Sequence, residues 1–400
     1  MFKSISSLRD TAMRALPYFF TICLFLSLMI VMFKDSASAE STGSPEEESL
    51  PEYNIVLSDS GSSSDCSTVT VTGSRITITE TGSYHVSGSL SSGQLRVETD
   101  SDSKVRLILN VVSITNPDSA AIYVVSADKV VLRLADGSSN TLTTAGSFVQ
   151  TDENNVDAVV FSKDDLTVSG GGSLTVNTPD GHGIVSKDDL KIKGGNLSVT
   201  AGRKALSAND TLTVEDGILS LNAGTEGMEA TYVLLNGGSV SIQAGDDGIN
   251  ATWNSDTLSP GVEINGGSIS IAMGPGDTDG IDSNGSLIIT GGSIDITGSS
   301  SFDCDGQVSF TGGTVIVNGQ QVDTIPSQMM GGMGRGGRGN MAKDGQFNND
   351  TVGADGSTLY EHAGRQDSFG DLNGLPEGGI MGPGGQHNHG SFGAAPGSTW

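Results

Sequence analysis

The sequence is poor in several residue types that an ordinary compact enzyme uses freely. Aromatic residues make up 5% of the 400 positions, and charged residues make up 17%, below the usual quarter. Of three cysteines, only Cys66 and Cys304 lie outside the amino-terminal apolar run. So few thiols cannot form a disulfide scaffold, and both are predicted to be free. The composition also leaves little room for long helices.

Positive charge is scarce as well. Lysine and arginine together number 20 against 47 acidic residues, which gives a formal net charge of −27. This balance argues against nucleic acid or an anionic membrane surface as a partner. Cations, or neutral or cationic polymers, fit the charge better.

The amino terminus carries an export signal. Lys3, Arg9 and Arg14 precede an apolar run over residues 16–33, and Ala37-Ser38-Ala39 follows as a cleavage site. Residues 1–39 are therefore predicted to be a signal peptide, and the protein is expected to be secreted or held at the cell surface. The run has 18 residues, near the lower limit for a membrane span, so an uncleaved anchor is the alternative.

Two further segments lack the apolar residues that a packed core needs. Residues 40–52, with Glu46-Glu47-Glu48, are interpreted as an acidic linker. Residues 327–400 contain 20 glycines but only five Leu, Ile or Val residues. Such a segment cannot bury enough apolar surface to fold, so a disordered glycine- and methionine-rich tail is predicted.

Between these segments the chain repeats itself. Each unit has a short β-rich run, a turn with glycine, a second β-rich run and a polar turn. The second turn glycine recurs with spacings of 23, 22, 21, 29, 25 and 21 residues. Its positions are Gly172, Gly195, Gly217, Gly238, Gly267, Gly292 and Gly313.

A third short run follows each polar turn and carries one large apolar residue per unit. These residues are Ile184, Leu206, Met228, Ile249, Ile281 and Phe302. Two positions later every unit has Ser, Ala or, at residue 304, Cys. Three strands per ~22 residues, stacked at ~4.8 Å, describe a parallel β-helix. We therefore predict an all-β solenoid of roughly ten coils over residues 53–326.

Acidic residues line the predicted third strand on both sides of the inward position. Stacking places equivalent carboxylates about 5 Å apart, where like charges repel. From Ala205 to Gly334 there are 16 acidic residues and no Lys, Arg or His. Dense oxygen ligands favour Ca²⁺, with a solvated acidic face as the alternative. The predicted ligands are Glu226, Glu229, Asp246, Asp247, Asn250, Asp277, Asp279, Asp282, Asp303 and Asp305.

Three other side chains are candidate carbohydrate contacts. Arg203 and Lys204 are the cations that precede the acidic series by one coil. They could bind a sugar carboxylate, act as the base of a lyase, or simply pair with neighbouring acids. Trp253 lies in the longest coil, where it could stack on a sugar ring or cover the edge of its own coil.

Several motifs resemble a known family. They are Ile78-Thr79-Glu80-Thr81-Gly82-Ser83-Tyr84-His85-Val86-Ser87-Gly88, Val105-Arg106-Leu107-Ile108-Leu109-Asn110, Asp279-Gly280-Ile281-Asp282-Ser283-Asn284-Gly285 and the glycine-methionine tail. Together they resemble the carbohydrate-binding, pectate-lyase-like β-helix proteins of clostridial-type bacterial surfaces. The resemblance implies a right-handed β-helix with bound calcium that adheres to plant-type polysaccharide such as cellulose or polygalacturonate. The sequence departs from the family at Cys304.

The residues and the resemblance together favour an extracellular, calcium-containing, non-catalytic polysaccharide-binding protein. A calcium-dependent pectate-type lyase, with Arg203 or Lys204 as base, is the first alternative. A structural surface adhesin for a protein partner is the second.

Overall fold

The computed structural model describes residues 49–276 and 278–325. The predicted signal peptide, most of the linker, the tail and Asp277 lie outside the described residues. Within them the chain forms 32 β-strands and no helix. No helix long and apolar enough to cross a membrane is found in this part of the chain.

One face of the molecule is an 11-stranded sheet, here called face I. Ten of its strands run parallel, one per coil, which confirms the predicted solenoid of roughly ten coils. Its strands are β3 (Thr70–Thr72), β4 (Arg75–Ile78), β6 (Gln94–Glu98), β8 (Ile122–Ser126), β11 (Ala158–Ser162), β14 (His182–Ser186), β17 (Leu206–Ala208), β20 (Met228–Ala230), β23 (Ile249–Ala251), β26 (Asp279–Ser283) and β29 (Ser300–Cys304).

The remaining strands form two further faces joined by long bent strands. β5 (Gly82–Leu90) and β7 (Lys104–Asn116) contribute to both. Face II contains β9 (Lys129–Leu134), β12 (Asp165–Gly170), β15 (Leu190–Ile192), β18 (Thr211–Val214), β21 (Tyr232–Leu235), β24 (Gly261–Ile264), β27 (Ser286–Ile289) and β30 (Val308–Phe310). Face III contains β10 (Ser139–Thr144), β13 (Ser173–Thr178), β16 (Asn196–Ala201), β19 (Ile218–Ala223), β22 (Ser239–Ala244), β25 (Ser268–Met273), β28 (Ser293–Thr297) and β31 (Thr314–Val317).

Short strands add to both ends of the stack. β1 (Glu52–Leu57) pairs parallel with β5, and β2 (Ser63–Ser64) pairs antiparallel with β1. At the other end β32 (Gln320–Val322) pairs antiparallel with β31. Antiparallel pairs at the ends cover sheet edges that would otherwise expose unpaired backbone groups.

The turn between faces II and III explains the glycine column. Six of the seven glycines adopt φ between +81° and +118°, a backbone region that residues with a side chain rarely adopt. The first one, Gly172, is not in that region. A Cβ there would lie 2.3 Å from the carbonyl oxygen of Ala135, so close backbone packing requires glycine instead.

The predicted inward column is confirmed. Consecutive coils pair Ile184 with Leu206, Leu206 with Met228, and so on to Phe302. Each of these six side chains is at most 3% exposed. Because every coil buries its apolar side on the next, one continuous core runs along the stack.

Both cysteines of this domain are free and buried, as the sequence predicts. Cys304 lies in the column of small inward residues, next to Ser283 of the preceding coil. Burial, together with the charges of Asp282 and Asp303, raises the pKa of its thiol to about 12. The thiol is therefore protonated and unreactive at neutral pH.

Replacing Cys304 with Ala should lower the free energy of unfolding by only about 1 kcal/mol, because other coils already hold Ala in this column. Cys304→Leu should cost about 1–3 kcal/mol, since a larger side chain overpacks the corner. Thermal melting of both variants checks this. An equal loss in the two variants would contradict an ordinary small-residue role.

Candidate functional site

Two columns of acidic side chains lie on the outward side of face I, and we call them the acidic columns. In the first, backbone hydrogen bonds connect Glu226, Asp247 and Asp279 in successive coils. Gly227 N donates to Asp247 O at 2.9 Å, and Gly248 N donates to Asp279 O at 2.9 Å. The second column follows the strand register through Glu229, Asn250, Asp282 and Asp303. The predicted stacking of these residues is therefore present.

Burial differs between these side chains. Glu229 is buried, with 6% of its surface exposed. Six are half-buried: Glu226, Asp247, Asn250, Asp279, Asp282 and Asp303. Asp246 and Asp305 are exposed and lie at the margin. The seven buried or half-buried side chains thus share a partly dehydrated surface in which charges interact more strongly than in bulk water.

Lys204 takes one of the roles expected for it, because it pairs with a neighbouring acid. Its ammonium forms an ion pair with the buried Glu229 carboxylate, and Asn254 Nδ2 donates to the same Glu229 oxygen at 3.2 Å. The sequence has no Lys, Arg or His from Ala205 to Gly334, so this cation comes from the residue just before that stretch. The solenoid brings Lys204 against Glu229 because their positions fall on adjacent coils.

Asp247 and Asp282 have pKa values above the usual range of an aspartate. Burial raises the pKa of Asp247 to about 7, against a hydrogen bond from the backbone of Asp279 that lowers it, and the charge of Asp282 adds to the rise. Burial likewise raises the pKa of Asp282 to about 6, assisted by the charges of Asp279 and Asp303. Burial and the negative charge of neighbouring carboxylates both disfavour the ionised form, so these two carboxyl groups lose their protons only at higher pH.

The oxygen atoms of the acidic columns are suitable ligands for a hard divalent cation, but these side chains alone do not form a complete coordination shell. Glu226 Oε2 and Asn250 Oδ1 are buried oxygen atoms without a hydrogen-bond partner among the described residues. Oxygen donors of this kind are typical of calcium sites. No three His, Cys, Asp or Glu side chains within the described residues gather as a group that could hold a metal ion. A bound cation would need further ligands from other atoms.

A pair formed by His182 and Asp157 lies next to the acidic columns, on the coils that precede them. His182 Nδ1 accepts a hydrogen bond from Lys204 N at 3.2 Å, and His182 Nε2 lies 3.5 Å from Asp157 Oδ2. Although burial opposes it, the hydrogen bond and charge of His182 hold the pKa of Asp157 below its usual value. Sequence reasoning missed this pair. Their separation of one coil was the signal that could have found it.

Arg203 and Trp253 remain available to a ligand. Arg203 is exposed. Trp253 is 65% exposed, so its ring does not act mainly as a cover for its coil. The loop that carries it is fixed by Thr231, whose hydroxyl accepts from Asn254 N at 3.0 Å and Ser255 N at 2.8 Å. Asn254 also contacts Glu229, so the loop adjoins the acidic columns.

Fold and site together define a parallel β-helix with a carboxylate-rich outward face. Residues 72–324 match the family described as carbohydrate-binding domain-containing protein. A protein of that description from Acetivibrio thermocellus is 37% identical over 213 residues, which is 51% of this chain and 72% of the relative. The chain belongs to this family of carbohydrate-binding domain-containing proteins, which confirms the family expected from the sequence motifs.

A solved structure is also similar. It is described as the polysaccharide lyase-like protein from C. thermocellum, in a gadolinium derivative. It is 32% identical, with a TM-score of 0.49, and the match covers 67% of this chain and 95% of the other.

Proposed function

We propose that this protein is an exported, calcium-containing, non-catalytic polysaccharide-binding protein of a bacterial surface. The observation that carries the proposal is the pair of acidic columns, with the raised pKa values of Asp247 and Asp282, beside the exposed Trp253. Export is supported by the charged, apolar and small-residue pattern of residues 1–39. Carbohydrate binding itself follows from the family.

Calcium is the proposed cofactor because the acids lack enough protein cations. Within the described residues, Lys204 pairs with Glu229, and Asp247 accepts hydrogen bonds from Asn250 and from the backbone of Asp279, neither of which brings a positive charge. Ca²⁺ takes six to eight oxygen ligands. Since no three acidic side chains form a closed group, water, carbonyl and sugar oxygens would complete the shell. A partly open shell is the arrangement that lets calcium bridge protein and saccharide.

The ligand we propose is a plant-type polysaccharide, either polygalacturonate or cellulose. Polygalacturonate is anionic, so the acidic columns would repel it unless calcium bridges the two. Cellulose is neutral and would use stacking on Trp253 with hydroxyl contacts nearby. Calcium dependence therefore separates the two ligands.

A lyase is the second candidate, supported by one observation. Arg203 is exposed next to the acidic columns, and its guanidine in the neutral form would take the proton beside a uronate carboxylate while the glycosidic bond breaks by elimination and the leaving oxygen takes a proton from water. Lys204 is less suited to be that base, because its ammonium is paired with Glu229. An adhesin for a protein partner would bind neither polymer.

The test is to incubate the purified protein with polygalacturonate or with insoluble cellulose, each with calcium and with a chelator. Pelleting measures binding, and absorbance of unsaturated products measures elimination. We expect calcium to strengthen the binding of polygalacturonate, and we expect no product absorbance. Product that disappears in Arg203→Ala would establish the lyase instead, and no binding to either polymer would favour the adhesin.

Trp253→Ala should weaken cellulose binding about tenfold, because loss of one stacked ring removes on the order of 1–1.5 kcal/mol. Calcium-dependent binding of polygalacturonate should be unchanged. The matched control is Leu258→Ala, which removes an apolar side chain that is 36% exposed on the same loop. Cellulose pelleting that stays intact in Trp253→Ala would remove the tryptophan from the binding site.

A further inference from the structure

A second candidate site lies far along the chain from the acidic columns. A cleft of about 470 Å³ opens where β1, β5, β7 and β9 adjoin, in the first coils. His85, Arg106 and Arg133 line it, together with the apolar side chains of Leu50 and Ile108. We call it the arginine cleft. In a chain with 20 basic and 47 acidic residues, two arginines in one cleft are an unusual local grouping of guanidinium groups.

The strand register fixes these side chains on the outward surface. His85 pairs with Ile108, and Ile108 pairs with Arg133, so the three form a row across adjacent strands. Arg106 precedes Ile108 by two residues and points to the same side, since side chains alternate along a strand. The intervening residues Val105, Leu107 and Leu109 are buried in the core at 0–1% exposure.

Arg106 is the central group of the cleft. Its side chain is half-buried, and it forms no hydrogen bond or ion pair with any described residue. A partly dehydrated guanidinium without an acceptor is costly, which favours an anion beside it. Its row partner Ser83 is 1% exposed, and the Ser83 hydroxyl also lacks a hydrogen-bond partner among the described residues.

The two acidic residues that line the cleft, Glu52 and Asp136, contact groups other than Arg106. Glu52 Oε2 lies 3.8 Å from His85 Nε2. Asp136 Oδ1 accepts a hydrogen bond from Gly171 N at 3.0 Å. Neither acid is paired with Arg106, so its guanidinium is available to an external ligand.

We infer that the arginine cleft binds the carboxylate of an anionic saccharide directly, without calcium. The planar guanidinium donates two parallel hydrogen bonds that match a carboxylate, and Arg133 places a second guanidinium one strand away. Leu50 and Ile108 offer apolar surface to the C–H face of a sugar ring. The inference rests on the family's carbohydrate binding and is independent of the calcium proposed for the acidic columns.

The experiment uses the full chain and trigalacturonate, with chelator present throughout, in isothermal titration calorimetry. Wild type should bind, and affinity should fall as sodium chloride rises. Arg106→Gln should weaken binding about tenfold or more, since it removes a charge-assisted pair of hydrogen bonds. Arg106→Lys keeps the positive charge but cannot donate two parallel hydrogen bonds to one carboxylate, so it should give an intermediate affinity.

Two controls make the result specific. Arg75→Gln removes an exposed arginine from face I and lowers the net charge equally, and it should change affinity less than about twofold. The carboxyl-reduced trisaccharide should not bind. Melting temperatures close to wild type show that the variants are folded, and Arg106→Met replaces Arg106→Gln if the latter unfolds.

The outcomes separate this inference from the proposed function. No binding by wild type in chelator, or equal losses in Arg75→Gln and Arg106→Gln, would overturn the arginine cleft. If wild type does not bind in chelator but binds in a parallel titration with calcium, and Asp247→Asn loses that binding, the cleft is overturned and the calcium proposal stands alone. Binding in chelator that depends on Arg106 would support the cleft even if the acidic columns bind no calcium.

Discussion

In calcium-free solution the melting temperature of this protein should fall as pH rises from about 5 to about 8. The cause is the pair of half-buried aspartates whose pKa values are raised, Asp247 to about 7 and Asp282 to about 6. In the unfolded chain both carboxyls titrate near pH 4. Between these values the folded state holds more protons than the unfolded state, so stability declines with increasing pH.

The expected loss across this range is about 2–4 kcal/mol, because solvent screening reduces the full effect of the two shifts. For a domain of this size the loss corresponds to a fall of roughly 5–10 °C in melting temperature. The stability that the two protonated aspartates contribute is fully present below about pH 4, and it is lost as the pH rises through their pKa values in the folded state. Calcium added at about pH 8 should restore it, since a ligand that binds only the folded state stabilises it.

The double variant Asp247→Asn, Asp282→Asn should flatten the dependence on pH and abolish the effect of calcium. Asp295→Asn is the matched control, because Asp295 is an exposed acid on face III. Asp295→Asn should leave the dependence of the melting temperature on pH the same as in wild type. A wild-type curve that is flat between about pH 5 and pH 8, and unmoved by calcium, would identify the acidic columns as a solvated surface.

Lys204→Met should lower the free energy of unfolding by about 2–4 kcal/mol at neutral pH. The variant leaves the Glu229 carboxylate buried without its ion-pair partner, and the remaining hydrogen bond from Asn254 compensates only in part. Removing one partner of a buried pair costs more than the pair itself contributes. Thermal melting in low salt measures the effect.

The second substitution Glu229→Met in the Lys204→Met background should recover most of that loss, since no uncompensated charge then remains. Lys191→Met is the control, because its ion pair with Glu215 at 3.5 Å is exposed. It should cost less than about 1 kcal/mol. If the double variant is as unstable as Lys204→Met, packing of the lysine stem rather than charge explains the effect.

Much of the candidate site could be predicted because a solenoid converts sequence spacing directly into spatial stacking. Glu226, Asp247 and Asp279 share one offset from the turn, so their column follows from alignment of the repeats. Pairing of Lys204 with a neighbouring acid was one of its predicted roles, but the sequence did not identify Glu229 as the partner. Lys204 and Glu229 occupy different offsets in adjacent coils, and only the lateral reach of the lysine side chain brings the two charges together.

The first coils show the limit of repeat alignment. There β5 and β7 are long strands that bend between two faces, and the register shifts between Val86 and Gly88. The regular glycine column begins only at Gly172, so no repeat in the sequence indicated that Arg106, His85 and Arg133 line one cleft. Their meeting depends on strand register that irregular coils do not encode as a fixed spacing.

The sequence by itself determined the β-helix, its inward column and the free state of its cysteines, because alternation and repeat length act locally and are the same in every coil. The tertiary structure decided which charges are buried and which are paired. Burial of Glu229, the raised pKa values of Asp247 and Asp282, and the unpartnered guanidinium of Arg106 all depend on neighbours from other coils. Electrostatic free energy is set by distance and local dielectric, which composition and spacing do not specify.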